Sequence, residues 1–89
     1  MRRFNTTEDA LKWLADVFQE SPENIRPETP RERVEGWDSL GMLDLMARLD
    51  EECNIILSEE HLSELKKIDD ILNILRMHGC LNSTSLKSA

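Results

Sequence analysis

All three prolines of this chain, Pro22, Pro27 and Pro30, fall between residues 21 and 37. Each removes a backbone donor and restrains the residue before it, so no long helix can run through this stretch. The chain is thereby divided into a segment before the loop and a helix-forming remainder after it. A connection this long must be pinned by its own side chains or carry function. Ile25, Val34 and Trp37 are its expected anchors, whereas Arg26, Arg31 and Arg33 alternate with Glu28, Glu32 and Glu35 and read as a solvated mixed-charge surface. Before the loop, residues 7–19 are expected to form a first helix. Thr6 or Thr7 would cap it, Glu8 and Asp9 suit its first turn, and Ala10, Leu11, Leu14, Val17 and Phe18 face inward with Trp13 at their edge.

The loop gives way to a second helix at Gly36-Trp37-Asp38-Ser39-Leu40. Asp38 is a good N-cap, since its carboxylate can accept from the free amides of the first turn and favours the positive end of the helix dipole. Ser39 then begins the helix with its hydroxyl toward water. Met42, Leu45, Met46, Leu49 and Cys53 follow helical spacing and define the buried face. Leu43, Ala47 and Asp50 form a second stripe in line with Ser39, flanked by Asp44 and Glu51. An apolar ridge edged with acid is suited to docking a partner.

Beyond this helix, Ile55 and Ile56 lie in a short apolar connector that has no second strand to pair with. Ser58 followed by Glu59, Glu60 and His61 predicts a short helix ending near Leu65, with Leu62 and Leu65 inward. Ile68, Ile71, Leu72 and Leu75 define a fourth, strongly amphipathic helix that ends near Met77, where Gly79 can close it in the left-handed conformation. The expected fold is all-α, a small four-helix bundle with a long first connection and a short third helix. The domain is placed at residues 4–78 and a flexible tail at 79–89.

An 89-residue chain buries only about two thirds of the surface it exposes when unfolded, so one modest core and no deep enclosed pocket are expected. A net charge of −7 repels phosphate backbones and anionic membranes, which disfavours nucleic acid and membrane partners and favours transient encounter with basic patches on other proteins. Cys53 and Cys80 form no C-x-x-C and point to a reducing cytoplasm. Cys53 reads as a small core hydrophobe and Cys80 as an exposed tail thiol. Met1-Arg2-Arg3 could open a signal peptide, but Glu8, Asp9, Lys12 and Asp16 interrupt any apolar region, and no run reaches membrane-spanning length. The two histidines, His61 and His78, stand in no arrangement with an acid and a nucleophile, and no Cys/His spacing matches a metal site. Without a base beside it, Ser39 is a poor nucleophile and a good acceptor of modification by another protein's active site. No catalytic residue and no metal ligand is therefore expected.

Asp38-Ser39-Leu40, the continuation Leu43-Asp44-Leu45, the acids Asp50-Glu51-Glu52, and Ile56-Leu57 before a short helix together resemble the acyl carrier protein family over residues 11–75. The resemblance implies that Ser39 receives 4'-phosphopantetheine from coenzyme A, in a magnesium-dependent reaction catalysed by a separate phosphopantetheinyl transferase. It implies that acyl intermediates ride as thioesters on the terminal thiol of this arm. Asp38, Leu40, Leu43, Asp44, Ala47, Asp50 and Glu51 match the face that such carriers present to the basic docking patches of acyl-loading and acyl-processing enzymes. The chain departs from the pattern at Gly41, where carriers of fatty acid synthesis usually have an acid, an exchange expected to weaken the helix and its negative face. It departs again at Trp37, which makes the motif look more like freestanding carriers of specialised pathways. The implied function is that of a non-catalytic, monomeric carrier in lipid, polyketide or other specialised biosynthesis. A D-alanyl or a peptidyl or aminoacyl carrier is the alternative on the same scaffold, and an unmodified acidic adaptor is the alternative outside it.

Overall fold

Thr6 opens the first helix by accepting the Asp9 amide on its hydroxyl at 3.1 Å. In the computed structural model, which describes residues 2–81, this helix, α1, runs Thr7–Phe18 with Glu8 and Asp9 in its first turn. It ends at Gln19, which adopts the left-handed conformation (φ 55°) and donates its amide to the carbonyls of Ala15 and Asp16. Ala10, Leu14, Val17 and Phe18 are buried as their spacing predicts. Trp13 is buried as well, rather than resting at the edge. Its ring packs 5.3 Å from that of Phe4, and its indole N–H reaches Glu52 at 3.0 Å, so the one polar atom of the ring is satisfied by a distant carboxylate.

The loop makes two single-turn 3-10 helices, Pro22–Asn24 and Arg31–Arg33, separated by the prolines that forbid anything longer. Ile25, Val34 and Trp37 are its buried anchors, 1%, 2% and 4% exposed. The loop is also tied by its backbone to the start of the last helix. Arg31 donates to the Lys66 carbonyl at 2.8 Å, Ile68 to Thr29 at 3.0 Å, and Asp69 to Pro27 at 2.8 Å. The first bond satisfies a donor of the loop, and the other two place loop carbonyls on the first amides of the last helix, which have no partner within it.

α2 spans Ser39–Cys53, α3 Glu59–Ser63 and α4 Ile68–Met77. Asp38, Ser58 and Asp70 close the three N-termini. Asp38 accepts from Gly41 at 2.9 Å, Ser58 from His61 at 3.2 Å, and the Asp70 carboxylate from the Lys66 and Lys67 amides at 2.8 and 3.3 Å. Leu45, Leu49 and Cys53 of α2, Leu62 of α3, and Ile68, Ile71, Leu72 and Leu75 of α4 meet the inward face of α1 in one core. Met42 and Met46 pack on its rim, half-buried. The 54–57 connector forms no strand. It turns at Asn54 (φ 61°) and buries Ile55 while leaving Ile56 in solvent. The described residues thus hold four α-helices and no β-strand, which makes the fold all-α.

The core does not stop at α4. Gly79 takes a positive φ of 76°, and the chain turns back so that the amides of Cys80 and Leu81 both donate to the Leu75 carbonyl, at 2.9 and 3.2 Å. Phe4 donates to the Cys80 carbonyl at 2.7 Å, joining the two ends of the described chain. Cys80 and Leu81 are 1% and 2% exposed, which corrects the reading of Cys80 as an exposed tail thiol. The physical reason is this return, in which the Cys80 thiol faces the Cys53 carbonyl at 3.6 Å instead of solvent. The remainder of the expected tail, 82–89, lies outside the described residues. No helix among the described residues is long and apolar enough to cross a membrane.

Candidate functional site

Three backbones meet where α2 begins. A Cβ on Gly36 would overlap the Phe18 carbonyl oxygen at the end of α1, and a Cβ on Gly41 would overlap the Gly36 carbonyl oxygen. Both positions need glycine because main chain lies against main chain. Trp37, between them, stacks on Phe18 with ring centroids 5.2 Å apart and planes 14° from parallel. The junction fixes how α2 leaves the loop. It also corrects the expectation for Gly41, which is buried and turned inward, so an acid there could not have joined the outward negative face.

With Gly41 held inward, the residues two positions before it and one before it turn outward. Ser39, the first residue of α2, is exposed, and the adjacent Asp38 carboxylate is engaged in capping. Leu40 is 76% exposed and Leu43 52%, and at a spacing of three they are neighbours on the surface of the helix. Asp38, Asp44, Ala47, Asp50 and Glu51 are exposed too. Every position that sequence reasoning assigned to an outward α2 face is therefore in solvent. The negative charge of that face is uneven, because Arg48 bonds Asp16 of α1 at 2.9 Å and approaches Asp44 at 4.0 Å. Asp50 and Glu51 form no ion pair among the described residues.

Two shallow depressions flank this face. One, about 320 Å³, lies between α2 and α3 and is lined by Ser39, Met42, Leu43, Met46, Glu59, Leu62 and Ser63. The other, about 530 Å³, lies toward the end of α1, where Gly36, Leu40, Leu43 and Ala47 form part of its wall. The serine thus stands at the mouth of a groove whose walls are mostly thioether and aliphatic carbon.

Arg31 is the neighbour that sequence reasoning missed. Its guanidinium lies 5.6 Å from the centre of the Trp37 ring, and one of its terminal N–H groups points at the Met42 sulfur at 3.0 Å. The mixed-charge reading of the loop holds for Arg26 and Arg33, which are exposed, and fails for Arg31, which is half-buried. The cause is the 3-10 turn Arg31–Arg33, which sets Arg31 on the side of the loop that faces Trp37. The regular Arg/Glu alternation carried no signal of that turn.

Chemically, the site offers a hydroxyl and little else. Ser39 has no side-chain hydrogen-bond partner among the described residues, and neither histidine is bonded to it. No group of three or more metal-ligating side chains comes together among the described residues. Burial and then the nearby Cys80 thiol push Cys53 up to about 12, so this sulfur is an inert thiol at neutral pH. Compared with protein-family models and with curated protein sequences, the chain matches none.

Proposed function

We propose that this chain is an acyl carrier protein, a four-helix carrier that takes a 4'-phosphopantetheine arm on Ser39 and presents cargo to separate enzymes. The observation that carries the reading is the placement of Ser39: exposed at the first residue of a helix, without a base among the described residues, at the edge of a ridge of exposed leucines and acids. The donor set fits the group. A phosphodiester needs only a free hydroxyl that another active site can reach, and Ser39 supplies one. When attached, the arm supplies a thiol that holds an acyl group as a thioester.

What the chain itself contributes is presentation. Asp38 caps the helix and keeps the first turn rigid, so the attachment point has a fixed direction. Leu40, Leu43 and Ala47 offer an apolar strip, and Asp44, Asp50 and Glu51 offer charge that speeds encounter with basic docking patches and leaves dissociation fast. A tether on Ser39 raises the effective concentration of cargo at whichever partner is docked. The groove between α2 and α3 gives a short apolar chain a place to shelter between visits. The protein is, on this reading, a monomeric, non-catalytic member of a cytoplasmic biosynthetic route.

Incubation with coenzyme A, magnesium and a broad-specificity phosphopantetheinyl transferase tests the proposal. The intact mass should rise by one phosphopantetheine, and Ser39→Ala should remain unmodified with unchanged helicity. An acidic adaptor that docks through Leu43 and Ala47 without modification predicts no mass change in either protein.

A further inference from the structure

Arg31 is a cation placed where an acidic protein has no evident use for one. The chain has a net charge of −7, yet no carboxylate lies within ion-pair distance of Arg31 among the described residues. The contacts of its guanidinium are the Trp37 ring and the Met42 sulfur, from residues two before and three after Ser39. A helical side chain leans toward its own N-terminus, so the Met42 sulfur lies over the turn that Ser39 begins. Met42 and Ser39 also line the same groove. The guanidinium thus touches two residues that flank the serine in sequence, one of which shares a groove with it, and rests against two soft groups that leave its hydrogen-bonding capacity largely unspent.

We infer that Arg31 is a positioning residue for the phosphodiester that joins the arm to Ser39, an inference that rests on the carrier reading. The phosphate is the one anion whose location the covalent link fixes beside Ser39, whereas the cargo end of the arm is far from it. A planar guanidinium matches two phosphate oxygens at once, and packing against Trp37 and Met42 reduces the freedom lost on binding. The contact also answers an electrostatic problem. The Asp38 carboxylate, on the residue before Ser39, already puts negative charge next to the attachment point, and the diester adds one more. Arg31 offsets that addition and orients the first bonds of the arm toward the groove between α2 and α3.

Nuclear magnetic resonance on the wild-type chain, before and after loading, reads this directly. The Arg31 Nε–Hε resonance should shift when Ser39 is loaded. The phosphorus resonance of the loaded protein should differ from that of the same protein unfolded in urea. Arg31→Gln should move the folded protein's phosphorus signal toward the unfolded value, Arg31→Lys should leave it intermediate, and added sodium chloride should move the wild-type signal the same way. A guanidinium that merely covers Trp37 predicts an unchanged Arg31 resonance and a phosphorus signal indifferent to both substitutions, which would overturn the inference in protein already shown by mass to be loaded. If Arg31→Gln does not fold, the wild-type comparison decides alone. Failure of Ser39 to load sinks the carrier reading itself and this inference with it.

Discussion

Gly41→Ala sets two effects of opposite sign against each other. In the interior of an exposed helix, alanine in place of glycine stabilises by about 1 kcal/mol, because glycine loses more backbone freedom on folding. At Gly41 the added methyl overlaps the Gly36 carbonyl oxygen, and the Phe18 side chain lies behind it. The overlap is with main chain, not with the end of a flexible side chain. α2 must therefore move away from the loop, loosening the Trp37 and Phe18 stack. Overpacking of this kind costs roughly 1–3 kcal/mol, and two rigid backbones place it at the upper end of that range. The net expectation is a loss of about 1–2 kcal/mol. With a urea dependence of about 1 kcal/mol per molar for a domain of this size, the unfolding midpoint should fall by roughly 1–2 M. Ala47→Gly, on the exposed face of the same helix, supplies the propensity scale by itself, about 1 kcal/mol of destabilisation. A Gly41→Ala midpoint that rises by about 1 M would mean that propensity alone governs the position and that the three-backbone junction is wrong.

Further outcomes are expected elsewhere. Glu52→Ala strips the acceptor from the Trp13 indole and the partner from Arg2, and thermal unfolding should register about 1–2 kcal/mol of destabilisation; Glu52→Gln, which keeps an acceptor, should recover most of it, and equal losses would show that Trp13 does not depend on that bond. Cys53 is held neutral in the fold up to about 12, whereas the unfolded thiol ionises near its free value of about 8.5. The stability it contributes is complete below that value and declines as pH rises toward 12, by at most about 1.4 kcal/mol per pH unit, a slope that Cys53→Ala should remove. Asp44→Lys combined with Glu51→Lys should slow partner reactions chiefly through the association rate, with the gap closing at high salt; rates indifferent to both charge and salt would count against the α2 face as a docking surface.

The parts of this molecule legible in its sequence are those governed by local rules. Asp38, Ser58 and Thr6 cap helices because a short polar side chain before an apolar period has one good use, and Ile68, Ile71, Leu72 and Leu75 bury one face because their spacing leaves no other. Ser39 was legible as exposed for the same reason. What escaped sequence reasoning depends on distant segments meeting. Cys80 is buried because Phe4 reaches it from the other end of the chain, and Trp13 because Glu52 takes its N–H. Gly41 is glycine because Gly36 lies against it, and nothing in its own neighbourhood announces the contact. Arg31 looked like one more charge in an alternating run until a single 3-10 turn placed it on Trp37.

The carrier account stands or falls on what Ser39 bears in the cell. In protein isolated from its native host, mass spectrometry of the peptide containing Ser39 should find phosphopantetheine on that residue, with part of the population extended by an acyl group labile to hydroxylamine. A native population in which Ser39 is uniformly unmodified while the protein is bound to its partners would contradict it.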